Sequence, residues 1–137
     1  MAAQEKNFIC ITCPMGCSLA VLHDGETVVE LTGNNCKRGM AYVQGELSDP
    51  RRMVASTVRV RDSLHPLLPV YTAAPFPKGK IFDLLAELRK VELQAPVKME
   101  QVVLENALGS GINVIASREM PVSEAPATVS PLPADLK

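Results

Sequence analysis

The sequence predicts an α+β fold: a small β-hairpin-containing metal- or cluster-binding module, then a small α+β module, then a disordered C-terminal tail. Three observations predict it. Two β-prone runs, Ser18–His23 and Glu26–Leu31, flank Asp24-Gly25, a pair that favours a hairpin. Further along, Ile81, Leu84, Leu85 and Leu88 recur at the spacing of one helix face. Two more β-prone runs, 101–105 and 112–116, are joined through Gly109-Ser110-Gly111. A chain of 137 residues has room for two small modules. The expected boundaries are 1–62 for a four-cysteine module, 63–120 for the α+β module and 121–137 for the tail.

The elements follow in order. Residues Met1 to Asn7 are polar, with no apolar signal-peptide core, and no apolar run approaches the ~20 residues that span a bilayer. Three cysteines then share one short loop. After the hairpin, Gly33-Asn34-Asn35 forms a turn that delivers a fourth cysteine back beside them. Met40, Val43 and Leu47 are three and four apart, a short helix closed by Ser48-Asp49-Pro50. The stretch Met53–Arg61 ends in strand-like alternation, Val58 and Val60 on one face, Arg59 and Arg61 on the other. Asp62–Lys80 holds Pro66, Pro69, Pro75 and Pro77 and reads as an extended connection to the helix at 81–88. From Pro121 onward Pro, Ala, Ser and Thr dominate, a composition expected to be disordered.

Composition narrows the function. Hydrophobic residues are 47% and charged residues 21%, as in globular chains. Aromatics are only 4%, so the core rests on aliphatic side chains. A net charge of -1 gives no reason to expect nucleic acid as a partner. There is no Ser/His/Asp or Cys/His arrangement, no paired-carboxylate signature, and no G-x-G-x-x-G. The chain is not expected to be an enzyme by itself. A cytoplasmic location is expected, where thiols stay reduced and clustered cysteines bind metal more often than they form disulfides.

The chemistry-bearing residues are Cys10, Cys13, Cys17 and Cys36, spaced C-x2-C-x3-C-x18-C. Bare thiolates this crowded would repel one another and oxidise, so a metal centre is the economical reading. Structural zinc usually takes two C-x2-C knuckles, or one with histidines. Here Cys17 and Cys36 form no second knuckle, and neither His23 nor His65 has knuckle spacing. A tetrahedral ion nonetheless tolerates many loops, which keeps Zn as an alternative. Thiol–disulfide exchange wants its C-x-x-C in a thioredoxin-like βαβ setting, absent here. A [4Fe-4S] cluster suits three ligands from one tight loop and a fourth from a distant one. Pro14 and Gly16 bend that loop, and close backbone N–H groups could reach the sulfurs. The spacing matches neither the bacterial nor the plant-type ferredoxin pattern.

Residues 10 to 61 resemble the N-terminal 4Fe-4S domain of molybdopterin oxidoreductases of the formate dehydrogenase and nitrate reductase class. The resemblance lies in Cys10, Cys13, Gly16-Cys17, Cys36-Lys37-Arg38-Gly39 and Pro50-Arg51. The loop before Cys36 is shorter here, and 137 residues cannot contain molybdopterin-binding domains, so no molybdenum cofactor is implied. Over most of its length the chain resembles a family of small four-cysteine bacterial and archaeal proteins of unknown function, associated with FAD-dependent, glycerol-3-phosphate-dehydrogenase-like flavoproteins. The matching residues run from Cys10 through Arg52, then Pro69-Val70, Pro75, Pro77-Lys78, Ala95–Lys98 and Asn106–Arg118. The resemblance implies an electron-transfer subunit holding one [4Fe-4S] cluster on the four cysteines, serving a FAD-dependent dehydrogenase-like partner subunit. Lys37 and Arg38 are expected to compensate the charge of the thiolates. Arg51, Arg52, Arg59 and Arg61, flanked by Asp49 and Asp62, are expected to form a solvated face.

Overall fold

The computed structural model of the chain describes residues 2–124. Their fold is α+β, mostly strands, with two α-helices. They form two units, one comprising the chain up to Arg52 together with Pro77–Gly79, the other Met53–Phe76 and the chain from Lys80 onward.

In the first unit, β1 (Gln4–Ile9), β2 (Ser18–Asp24) and β3 (Thr27–Thr32) make an antiparallel sheet in the order β1-β2-β3. The expected hairpin is β2–β3. Asp24 pairs with Thr27, and Gly25, at φ +60, takes the positive φ that a two-residue hairpin loop requires. Strand β1 was not anticipated. It is an edge strand, so only one of its sides is paired and its polar residues stay exposed. Phe8 is its inward anchor: its ring meets Tyr42 edge-on at 6.4 Å, and Lys6 Nζ lies 5.1 Å from its centroid. Helix α1 (Arg38–Ser48) closes the unit, followed by the two-residue strand β4 (Arg51–Arg52). Leu19 and Val21 of β2 bury with Val43 of α1 and with Cys10, while Leu31, Tyr42 and Leu47 pack around them.

Arg52 holds the C-terminal half of α1 through a two-pronged contact with Glu46, Nη2 to Oε2 at 3.0 Å, and the Glu46 side chain is 9% exposed. The hydrogen-bonded guanidinium keeps the Glu46 carboxyl below the usual carboxylate range, against the opposing effect of burial. A carboxyl whose folded pKa is depressed contributes stability above its unfolded pKa, about 4.3, and loses it as pH falls through the folded value. Glu46→Gln is therefore expected to cost about 1–2 kcal/mol at neutral pH and less on acidification. Denaturant titrations of both proteins from pH 7 to pH 3 check this; a constant difference across that range would contradict it.

The second unit is built on a five-stranded sheet. Its strands are β5 (Ala55–Arg61), β6 (Leu67–Thr72), β8 (Glu92–Gln94), β9 (Val102–Leu104) and β10 (Val114–Ala116), in the order β8-β5-β6-β10-β9. The remaining strand, β7 (Phe76–Pro77), is two residues long. Helix α2 (Ile81–Lys90) covers the sheet with the expected stripe: Leu84 and Leu88 are buried, and Ile81 and Leu85 pack beside them. Val58, Val60, Leu68, Val70, Phe76 and Met120 complete the core.

Two further features, both in the second unit, differ from expectation. The proline-rich connection contains β6, the middle strand of the sheet. Pro69 is accommodated because its carbonyl accepts the Ser117 N–H and Oγ, both at 3.0 Å. The N–H and C=O of a strand residue point to the same side. The missing N–H therefore falls where the β10 ladder stops, at Ala116 opposite Val70. Strand β5 belongs to the second unit, not to the end of the four-cysteine module, because Val58 and Val60 bury in that core; the division falls at Arg52/Met53. At the start of the expected tail, the Leu64 N–H donates to Pro121 O and the Ser123 N–H to Asp62 O; from residue 125 on, the tail lies outside the described residues. Among the described residues no helix is long and apolar enough to cross a membrane.

Candidate metal centre

All four cysteines are free thiols and belong to the first unit. Cys10 extends the β1–β2 ladder by one step beyond the Ile9–Ser18 pair: its N–H donates to Cys17 O at 2.9 Å. Cys10 and Cys17 therefore stand opposite each other at the mouth of the loop, with Cys13 inside it. Gly16, at φ +60, turns the chain back toward β2. Cys10 is buried and in contact with the core, Cys13 and Cys17 are half-buried, and Cys36 is exposed. The Cys10 sulfur lies 3.1 Å from Thr12 Oγ1.

The fourth cysteine arrives through a turn that needs a glycine. Thr32 pairs with Ala20, and Gly33 then passes so close to β2 at φ +89 that a Cβ there would sit 2.1 Å from Ser18 O. The turn therefore lies directly against the residue after Cys17. Asn34 Nδ2 donates to Cys36 O at 3.4 Å, and the Gly39 N–H donates to the same carbonyl at 3.3 Å, leading the chain into α1. Gly39 fits because it has no side chain: a Cβ would lie 2.8 Å from Asn34 Cβ.

Two side chains of this segment act on the cysteines. Asn35 Nδ2 donates to Cys17 Sγ at 3.2 Å. The Arg38 guanidinium beside Cys36 holds that thiol below the usual thiol range. The Arg38 charge is favoured in turn, first by Cys36 and more weakly by Cys13 and Cys10. The structure thus brings Cys10, Cys13, Cys17 and Cys36 to one end of the small sheet. Among the described residues, no three Cys, His, Asp or Glu side chains converge as a ready-made ion site. The donor set fits a thiophilic centre: four unpaired thiols, a cation and an amide donor. His23 stands apart, its Nδ1 2.9 Å from Gly25 O in the hairpin loop.

The basic stretch that follows is largely paired within the chain. Arg51 meets Asp49 at 2.6 Å, Arg52 meets Glu46, and Arg61 meets Glu92. Asn35 was not foreseen as a site residue. The signal in the sequence was its place directly before Cys36, but its partner is eighteen residues away and depends on the turn.

A family described as a protein of unknown function (DUF1667) matches residues 37–118, and the chain belongs to it. The matched stretch begins directly after Cys36, so the four cysteines precede it. No curated protein matches the chain. Among solved structures, the chain is similar to the NMR structure of Clostridium perfringens protein CPE0013, at 24% identity and a TM-score of 0.50, over 57% of this chain and 93% of that one. That likeness is one of fold.

Proposed function

We propose that this member of a family of unknown function is an electron-transfer subunit that carries one [4Fe-4S] cluster on Cys10, Cys13, Cys17 and Cys36. The observation that carries this reading is that the close approach of Gly33 to Ser18 returns the Cys36 segment to the Cys10–Cys17 loop, where Asn35 Nδ2 donates to Cys17 Sγ at 3.2 Å. A bound cluster supplies one-electron chemistry. The chain's own residues supply the rest. Cys10 anchors the loop to the core, Gly16 and Gly33 shape the two approaches, and Arg38 offsets thiolate charge. The absence from the sequence of a nucleophile–base pair or paired carboxylates supports a relay over a catalytic role. The partner we propose is a FAD-dependent dehydrogenase-like subunit, supported by the sequence resemblance. A flavin takes up a hydride equivalent and can release its electrons singly to such a relay.

Protein purified without oxygen is expected to be brown, to contain iron and acid-labile sulfide in equal amounts, and to absorb broadly at about 400 nm with bleaching by dithionite. One zinc per chain without iron or sulfide would overturn the proposal in favour of a zinc-stabilised interaction module.

A further inference from the structure

We infer that Asn35 is a positioning residue that raises the reduction potential of the centre by donating its side-chain amide to the Cys17 sulfur. This rests on the cluster reading above and adds a role for a residue that ligates nothing. The contact is short for sulfur, 3.2 Å from Nδ2 to Sγ. It is also held in place from both sides. Upstream, the Gly33 backbone lies against Ser18 O in a space that no Cβ can enter. Downstream, Asn34 and Gly39 both bond the Cys36 carbonyl, fixing the next peptide. The Asn35 amide is thus aimed at Cys17 by the backbone on either side of it.

The electrostatic consequence has a definite sign. Reduction adds one electron to the cluster, taken from an external reductant, and breaks no bond to the protein. The added charge spreads over iron, sulfide and the ligating thiolates. An N–H dipole pointing at a thiolate stabilises the more negative, reduced form, so the potential rises. Hydrogen bonds to ionised sulfur are also stronger than those to neutral partners. Removing the donor lowers the potential, and replacing it by a carboxylate lowers it further, since a negative charge then faces the same sulfur.

The test compares wild type, Asn35→Leu and Asn35→Asp, reconstituted and purified without oxygen. Iron and sulfide are counted first, then dye-mediated redox titrations are followed by absorbance or electron paramagnetic resonance. The expected order of potentials is wild type highest, Asn35→Leu lower and Asn35→Asp lowest, at equal iron content. Asn35 is exposed and belongs to no core cluster, so neither change is expected to unfold the unit. If Asn35→Leu keeps its iron and titrates with the wild type, the inference fails while the cluster reading stands. If both variants fail to retain iron, Asn35 serves assembly and the inference is overturned. Wild-type protein without iron overturns the cluster reading, and the inference with it.

Discussion

Cys36→Ala is expected to remove nearly all iron and sulfide from the protein while leaving its fold in place. Cys36 is exposed and belongs to no core cluster, so alanine there deletes a sulfur but opens no cavity. The stability change of the metal-free protein is expected to stay within about 0.5 kcal/mol. Cys10→Ala is the instructive contrast. Cys10 is 5% exposed and packs with Leu19, Val21 and Val43, so its loss removes a ligand and core volume together. That variant is expected to lose iron as well and to lose about 1–2 kcal/mol of stability. Measuring iron content and apo-protein denaturation for both separates ligation from packing. Full iron retention by Cys36→Ala would remove it as the fourth ligand.

The parts of the fold legible in the sequence were those written in local patterns. The stripe Ile81, Leu84, Leu85 and Leu88 needs only a 3.6-residue period to specify α2. Asp24-Gly25 needs only a positive φ at Gly25 to specify the β2–β3 turn. The strands that were not legible depend on neighbours far along the chain. Strand β1 is polar because it is an edge, and nothing local says that β2 waits to pair with it. Strand β6 was hidden by prolines, because the rule that excludes proline from central strands assumes the N–H is needed. At Pro69 the ladder ends on that side, so it is not.

At the candidate site the same division holds. The return of Cys36 could be read from the hairpin, since equal strands bring both ends back to one edge. The role of Asn35 could not, because it depends on which way a side chain points after a turn of unusual φ. The sequence alone does not distinguish Lys37 from Arg38 as the residue that compensates thiolate charge. In the structure it is Arg38 whose charge is favoured by the Cys36 sulfur.

Gly33→Ala is expected to be among the most damaging single-methyl changes in the first unit. Three effects converge on it. Positive φ, here +89, costs an L-residue about 1–2 kcal/mol. The new Cβ would also lie 2.1 Å from Ser18 O and 3.2 Å from Ser18 C, both backbone atoms that no rotamer change can move aside. Relief requires the turn and β2 to separate at the point where Ser18 pairs with Ile9. That separation draws Asn35 off the Cys17 sulfur and Cys36 away from the loop, so cluster retention falls along with stability. A loss of about 2–4 kcal/mol is expected. Gly16→Ala supplies the control: it shares a positive φ, +60, but a Cβ there meets nothing within 4 Å, so only the conformational cost of about 1 kcal/mol remains. Amide hydrogen exchange along β2 and β3, compared between the two variants, reads the first unit without interference from the second. Equal protection losses in the two would mean that the turn can relax away from Ser18, and that the presentation of Cys36 does not depend on the close approach at Gly33.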